Sequence, residues 1–90
     1  MFVLVSFDYG NTESVELHAI STDRDAAEAM FRTLAADEEF IAPPEGADYP
    51  FHTLVELLEV PDTFVSKKGH GIFWGDTHPD VKVLMTNNID

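Results

Sequence analysis

The sequence predicts an α+β fold, in which a small antiparallel sheet of β-β-α-β-β order carries one amphipathic helix packed on one face. Three observations lead to it: alternating apolar residues at the start, one helical apolar pattern in the middle, and two apolar runs afterwards. We expect residues 1–90 to form a single globular domain, because a chain of 90 residues has no room for a second core.

The first two strands are predicted to form an antiparallel hairpin. Residues 2–8 are apolar at both alternating sets of positions near their start, which indicates a central strand buried on both faces. Residues 9–12, Tyr-Gly-Asn-Thr, are typical of a turn. In residues 15–19, apolar positions alternate with Glu16 and His18, so the second strand is expected to have one solvated face.

A helix is predicted over residues 23–36. Thr22 is the expected N-cap, and Asp23 and Asp25 suit the positive end of the helix dipole. Glu28 and Arg32 have the spacing of an i,i+4 ion pair. At 100° per residue the apolar side chains fall within about 140° of one another, and this face is expected to pack on the sheet: Ala26, Ala27, Met30, Phe31 and Leu34.

Three acids follow this helix directly, at Asp37, Glu38 and Glu39. At the C-terminus of a helix they would face the negative end of its dipole, so either the helix stops by Ala36 and they are solvated, or another feature requires negative charge there. Residues 40–50 contain three prolines and Gly46, which predicts a loop. The loop is expected to pack through Phe40, Ile41 and Tyr49.

The segment 52–60 is open to two interpretations. Thr53 and Glu56 have the spacing of a helical capping box. The segment is nevertheless short, lies between two prolines and would complete a sheet that otherwise has only a hairpin, so we predict a strand. Residues 81–86 are predicted to form the last strand, and residues 87–90 are expected to fray.

Charge is the most informative feature of the composition. The net charge is −12, and its parts are −3 in residues 1–22, −4 in 23–40, −5 in 41–62 and 0 in 63–90. Such acidity argues against direct binding of nucleic acid, which requires lysine and arginine at the phosphates, and favours a basic protein partner.

Without cysteine, thiolate chemistry and disulfides are excluded. No apolar run approaches membrane-spanning length and no signal peptide is recognisable, so we expect a cytoplasmic protein.

Residues 69–80, GHGIFWGDTHPD, are the best candidates for a metal site. Asp76, His78 and Asp80, with His70 as a fourth ligand, supply suitable donors. Gly-Asp-x-His at 75–78 resembles a fragment of metallophosphoesterase loops. Those enzymes combine several such loops, and the others are absent from this sequence, so we favour turn and capping roles for the aspartates and predict no metal and no cofactor.

The remaining patterns do not favour catalysis. No Gly-x-Ser-x-Gly nucleophile motif is present. His18 and His52 lie on predicted strands that are possible neighbours, a pairing that is more often structural than catalytic. Glu56 and Glu59 would serve as an acid–base pair only inside a pocket, for which a chain of this size leaves little space. We therefore expect a protein that is not an enzyme.

The function predicted from these observations is charge mimicry of DNA. Duplex DNA carries one charge per roughly 1.7 Å, so twelve charges match about 20 Å of duplex. Phe73 and Trp74 are available as an apolar anchor for a basic, nucleic-acid-handling partner. The expected phosphate substitutes are the uncompensated acids Asp37, Glu38, Glu39, Glu45, Asp48, Glu56 and Glu59.

In composition the chain resembles phage-encoded antagonists of bacterial defence, such as DNA-mimicking anti-restriction or anti-CRISPR proteins. That resemblance implies an inhibitor acting in a host cytoplasm, and it assigns no residue. Three alternatives stay open: acidity that serves only solubility, a small accessory or self-associating domain that uses a free sheet edge as a homodimer, and a metal-dependent hydrolase centred on Asp76, His78 and Asp80.

Overall fold

A computed structural model describes residues 1–8, 11–43, 45–46, 52–61 and 81–88, and of residues 11–14 only the backbone. It has an α+β fold, as predicted, with a four-stranded antiparallel sheet and helices packed against it. The elements in chain order are β1 Phe2–Asp8, β2 Asn11–Ser21, α1 Arg24–Ala35, α2 Glu38–Ile41, β3 Leu54–Glu59 and β4 Lys82–Thr86. The order of the strands in the sheet is β2-β1-β3-β4.

β1 is the central strand that its sequence predicts. It pairs with β2 on one side and with β3 on the other, and its residues Val3, Leu4 and Val5 are buried. Because side chains alternate between the two faces of a strand, Leu4 faces α1, whereas Val3 and Val5 face the opposite side. The core therefore has two parts, one on each face of the sheet.

The part of the core beneath α1 is called the helix-side core, and the part on the other face the far-side core. The buried residues of the helix-side core are Leu4, Ala27, Phe31, Val55 and Leu57. Those of the far-side core are Val3, Val5, Leu58, Val60 and Val81.

β2 forms the expected hairpin with β1 but contains a β-bulge that the alternating pattern did not predict. Leu4 pairs with Ala19 and Val5 pairs with Leu17, so His18 is an extra residue in β2. Leu17 and Ala19 therefore lie on opposite faces, and the prediction of one apolar and one solvated face is wrong. Ala19 packs on the helix-side core, while Leu17 is 54% exposed.

α1 begins one residue later than predicted, with Asp23 rather than Thr22 as its N-cap. The Asp23 side chain accepts hydrogen bonds from the backbone N–H groups of Asp25 and Ala26, and a carboxylate satisfies these helix-end donors well. On the apolar face Ala27 and Phe31 are buried, whereas Met30 is 37% exposed. The helix is thus rotated so that part of its predicted packing face meets solvent.

α2 replaces the first residues of the predicted loop. The Asp37 side chain caps it, because Oδ1 accepts a hydrogen bond of 3.1 Å from the backbone N–H of Phe40. Phe40 and Ile41 both pack on the helix-side core, as expected of them. Tyr49, the third residue expected to pack, lies outside the described residues.

β3 is a strand, so the capping-box alternative for 52–60 is wrong. It pairs antiparallel with β1 from Phe2↔Glu59 to Phe7↔Leu54, and the backbone N–H of Thr53 donates to the carbonyl of Ile41 at 2.7 Å. The chain gains more from pairing this apolar segment with a buried central strand than from a short isolated helix.

β4 pairs with β3 in the sheet. Residues 87–90 were expected to fray, and this prediction is wrong for Asn87. The Asn87 side chain accepts a hydrogen bond from the Val55 N–H at 2.9 Å and donates one to the Thr53 carbonyl at 3.0 Å. These bonds extend the β3–β4 pairing beyond its last residue and hold the end of β4.

No helix in the described part of the chain is long and apolar enough to cross a membrane.

Candidate functional site

The acids at 37–39 lie at the start of α2, so of the two alternatives in the sequence the first is correct. α1 ends at Ala35, and Asp37, Glu38 and Glu39 are exposed. Glu38 and Glu39 occupy the first turn of α2, where the dipole of a helix favours negative charge. None of the three forms an ion pair with another residue that the structure describes. We call residues 37–39 the acidic turn.

Both arginines of α1 bind the same carboxylate. Arg24 Nε lies 3.2 Å from Glu28 Oε2, and Arg32 Nη2 lies 3.4 Å from Glu28 Oε1. The Glu28–Arg32 pair was expected from the sequence, and the Arg24 pair is an addition. Their positive charge is thus directed to Glu28 and away from the acidic turn.

Two other predicted contact acids, Glu56 and Glu59, lie on opposite faces of the sheet. Glu59 pairs with Phe2, which packs on the helix-side core, whereas Glu56 pairs with Val5 of the far-side core. Residues three apart in a strand point to opposite faces, so Glu56 and Glu59 are not brought together as an acid–base pair. Glu45 is exposed in a turn beside Gly46.

The remaining predicted residues lie outside the described part of the chain. They are the contact residues Asp48, Phe73 and Trp74 and the metal-site candidates His70, Asp76, His78 and Asp80. Their roles stay predictions. Among the residues that are described, no group of three or more His, Cys, Asp or Glu is placed to hold a metal ion.

His18 does not neighbour His52, because β1 lies between β2 and β3. Instead the bulge places His18 on the helix side, where its Nε2 and the hydroxyl of Ser6 share a hydrogen bond of 2.6 Å. The imidazole packs edge-on against the ring of Phe40, with 5.5 Å between ring centroids and 84° between planes. His18 therefore links the edge strand to α2 as a structural contact.

An apolar groove lies between α1 and β2, and the sequence did not predict it. Its volume is about 410 Å³, and both the bulge in β2 and the rotation of α1 contribute to it. The signals available in the sequence were Met30 and Leu34 of α1, and both are predicted there to pack on the sheet. The groove is lined by Leu4, His18, Ala19, Ala29, Met30, Thr33, Leu34 and Asp37.

A smaller and more polar cleft of about 260 Å³ lies on the same side of the sheet. Phe40, which packs against His18, lines it. Its other lining residues are Ser6, Phe7, Asp8, Glu16 and Thr53. The helix side of the protein thus combines an apolar groove, an acidic turn and a polar cleft around the His18–Phe40 contact.

Comparison with known proteins identifies no relative: no protein-family model, no curated protein and no solved structure matches this chain.

Proposed function

We propose that this protein is a non-enzymatic, acidic interaction protein that binds and blocks a basic, nucleic-acid-binding surface of a partner protein. The observation that carries the proposal is the acidic turn: three adjacent, exposed carboxylates, while both arginines of the neighbouring helix bond to Glu28. Asp37 has a structural reason to be acidic because it caps α2, but Glu38 and Glu39 make no hydrogen bond to another described side chain.

Long-range charge supports the same proposal. A net charge of −12 on 90 residues attracts a cationic surface and increases the rate of encounter with it. The contact acids are distributed over more than one face, since Glu56 and Glu59 are on opposite sides of the sheet. We therefore assign the direct contact to the helix side and attribute steering to the charge of the whole chain.

The test is capture of partners on the immobilised protein, followed by elution with duplex DNA. We expect nucleic-acid-binding proteins to be retained at low salt and released by DNA, because both ligands compete for one basic surface. At 0.5 M salt the Debye length is only about 4 Å, so retention should fall steeply. Partners that resist both DNA and 0.5 M salt would contradict the proposal.

Two variants of equal charge locate the contact. Glu39→Gln and Asp25→Asn each change the net charge from −12 to −11 by removing one exposed carboxylate from the first turn of a helix. We expect the first variant to lose more retention than the second. Equal losses would show that total charge acts without a specific contribution from the acidic turn.

Self-association is a second candidate, and the position of β2 favours it. β2 is an edge strand of the described sheet, and its Leu17 and Ile20 are 54% and 56% exposed. Both pair with far-side core residues of β1 and so lie on one face. Sedimentation equilibrium of the wild type and of Leu17→Ser/Ile20→Ser tests it, since a dimer through this face should dissociate in the variant.

A further inference from the structure

We propose that the groove between α1 and β2 receives an apolar side chain from a lysine- or arginine-rich segment of the partner. The inference rests on the proposed function. In it the apolar anchor belongs to the partner, whereas the sequence suggests Phe73 and Trp74 of this chain as the anchor. The groove, at about 410 Å³, falls within the range of about 300–1,000 Å³ that is usual for ligand pockets.

The lining of the groove is suited to a hydrocarbon side chain. Leu4 and Ala19 belong to the sheet beneath it, and Met30 and Leu34 belong to the adjoining helix. Met30 is 37% exposed, so an apolar group placed against it removes further apolar surface from water. A polycation without such a group would leave this surface solvated.

The charges around the groove favour a cationic segment as the carrier of that side chain. Asp37 lines the groove, and Glu38 and Glu39 follow it directly. By helical spacing the two arginines of α1 are centred about 170° around the helix axis from its groove-lining residues. The charged side chain that lines the groove is therefore Asp37 of the acidic turn, and neither arginine of α1 is among the lining residues.

A second copy of this chain is a poorer occupant on the same grounds. Each copy carries a net charge of −12, so two acidic surfaces would be brought together around the groove and would repel. The exposed apolar residues Leu17 and Ile20 belong to the opposite face of the sheet. Charge complementarity therefore selects a basic partner segment.

Binding of two synthetic peptides to the intact protein tests the inference. Both are lysine-rich, and they differ only at a central position that is leucine in one and alanine in the other. We expect the leucine peptide to bind about tenfold more tightly, because burial of the larger side chain removes more apolar surface from water. In NMR titrations, the leucine peptide should shift the amide resonances of residues 29–34 and of Ala19 more than the alanine peptide does.

A matched pair of variants links the difference to the groove. Met30→Gln makes a groove residue polar at nearly constant size and should reduce the tenfold preference to about twofold. Val83→Thr makes the same kind of change at a residue of similar exposure, 41% against 37%, on β4 at the other end of the described sheet. The Val83→Thr variant should keep the preference of the wild type.

The outcomes separate this inference from the proposed function. If both peptides bind equally well to the wild type, or if Val83→Thr and Met30→Gln lose the preference equally, the groove inference is wrong and charge-based binding stands. If neither peptide binds at low salt, both the groove inference and the proposed function are wrong. If sedimentation shows a wild-type dimer that Met30→Gln dissociates, the occupant is a second copy and the inference is overturned.

Discussion

Removal of the Asn87 side chain should destabilise the sheet measurably. The side-chain amide accepts from the Val55 N–H at 2.9 Å and donates to the Thr53 carbonyl at 3.0 Å, and both bonds are partly buried. A typical hydrogen bond of this kind contributes about 0.5–1.5 kcal/mol, so Asn87→Ala should reduce the free energy of unfolding by about 1–3 kcal/mol. For a domain of this size, each kcal/mol lowers the Tm by about 4–8 °C.

Urea denaturation followed by circular dichroism measures this change, with thermal unfolding as a second observation. Thr86→Ser is the control, because it alters the preceding residue but keeps the hydroxyl that accepts from the Asn88 N–H at 3.1 Å. Equal stability of Asn87→Ala and the wild type would refute the reasoning, because it would mean that the two bonds do not hold the end of β4 in solution.

Three further predictions concern stability, each measured as a change in the urea midpoint at constant slope. Leu57→Ala removes a side chain that is fully buried and should cost about 2–5 kcal/mol, whereas Leu17→Ala, at a position 54% exposed, should cost less than about 1 kcal/mol. Asp23→Ala removes two N-cap hydrogen bonds and should cost about 0.5–2 kcal/mol, so a neutral result would contradict the capping role. Gly46 has a φ of 84°, so Gly46→Ala should cost about 1 kcal/mol and Gly46→Asn less; equal costs would show that the turn relaxes.

Much of the fold follows from local sequence. The alternation of residues 2–8 predicts β1, and the helical spacing of Ala27 and Phe31 predicts the buried face of α1. Such patterns depend only on side chains two to four positions apart, which is why they can be read before the fold is known. The local pattern does not distinguish strand from helix at residues 54–59, because the leucines there fit either period.

The candidate site was much less predictable. The acidic turn was visible as a run of three acids, but its position at the start of α2 depends on Asp37 binding the Phe40 N–H. The groove depends on an extra residue, His18, in the pairing of β2 with β1. Glu56 and Glu59 are separated because residues 54–59 form a strand, in which side chains three positions apart point to opposite faces.

The sequence by itself thus determined the hairpin strands β1 and β2, the helix α1, the concentration of negative charge in the first 62 residues and the absence of thiol chemistry. Only the tertiary structure decided the strand order, the faces of the bulged strand and the residues that surround the groove. The physical reason is that a bulge or a strand pairing is stabilised by contacts between residues far apart in the chain. His18 with Phe40 and Asn87 with Val55 are such contacts, and no periodicity records them.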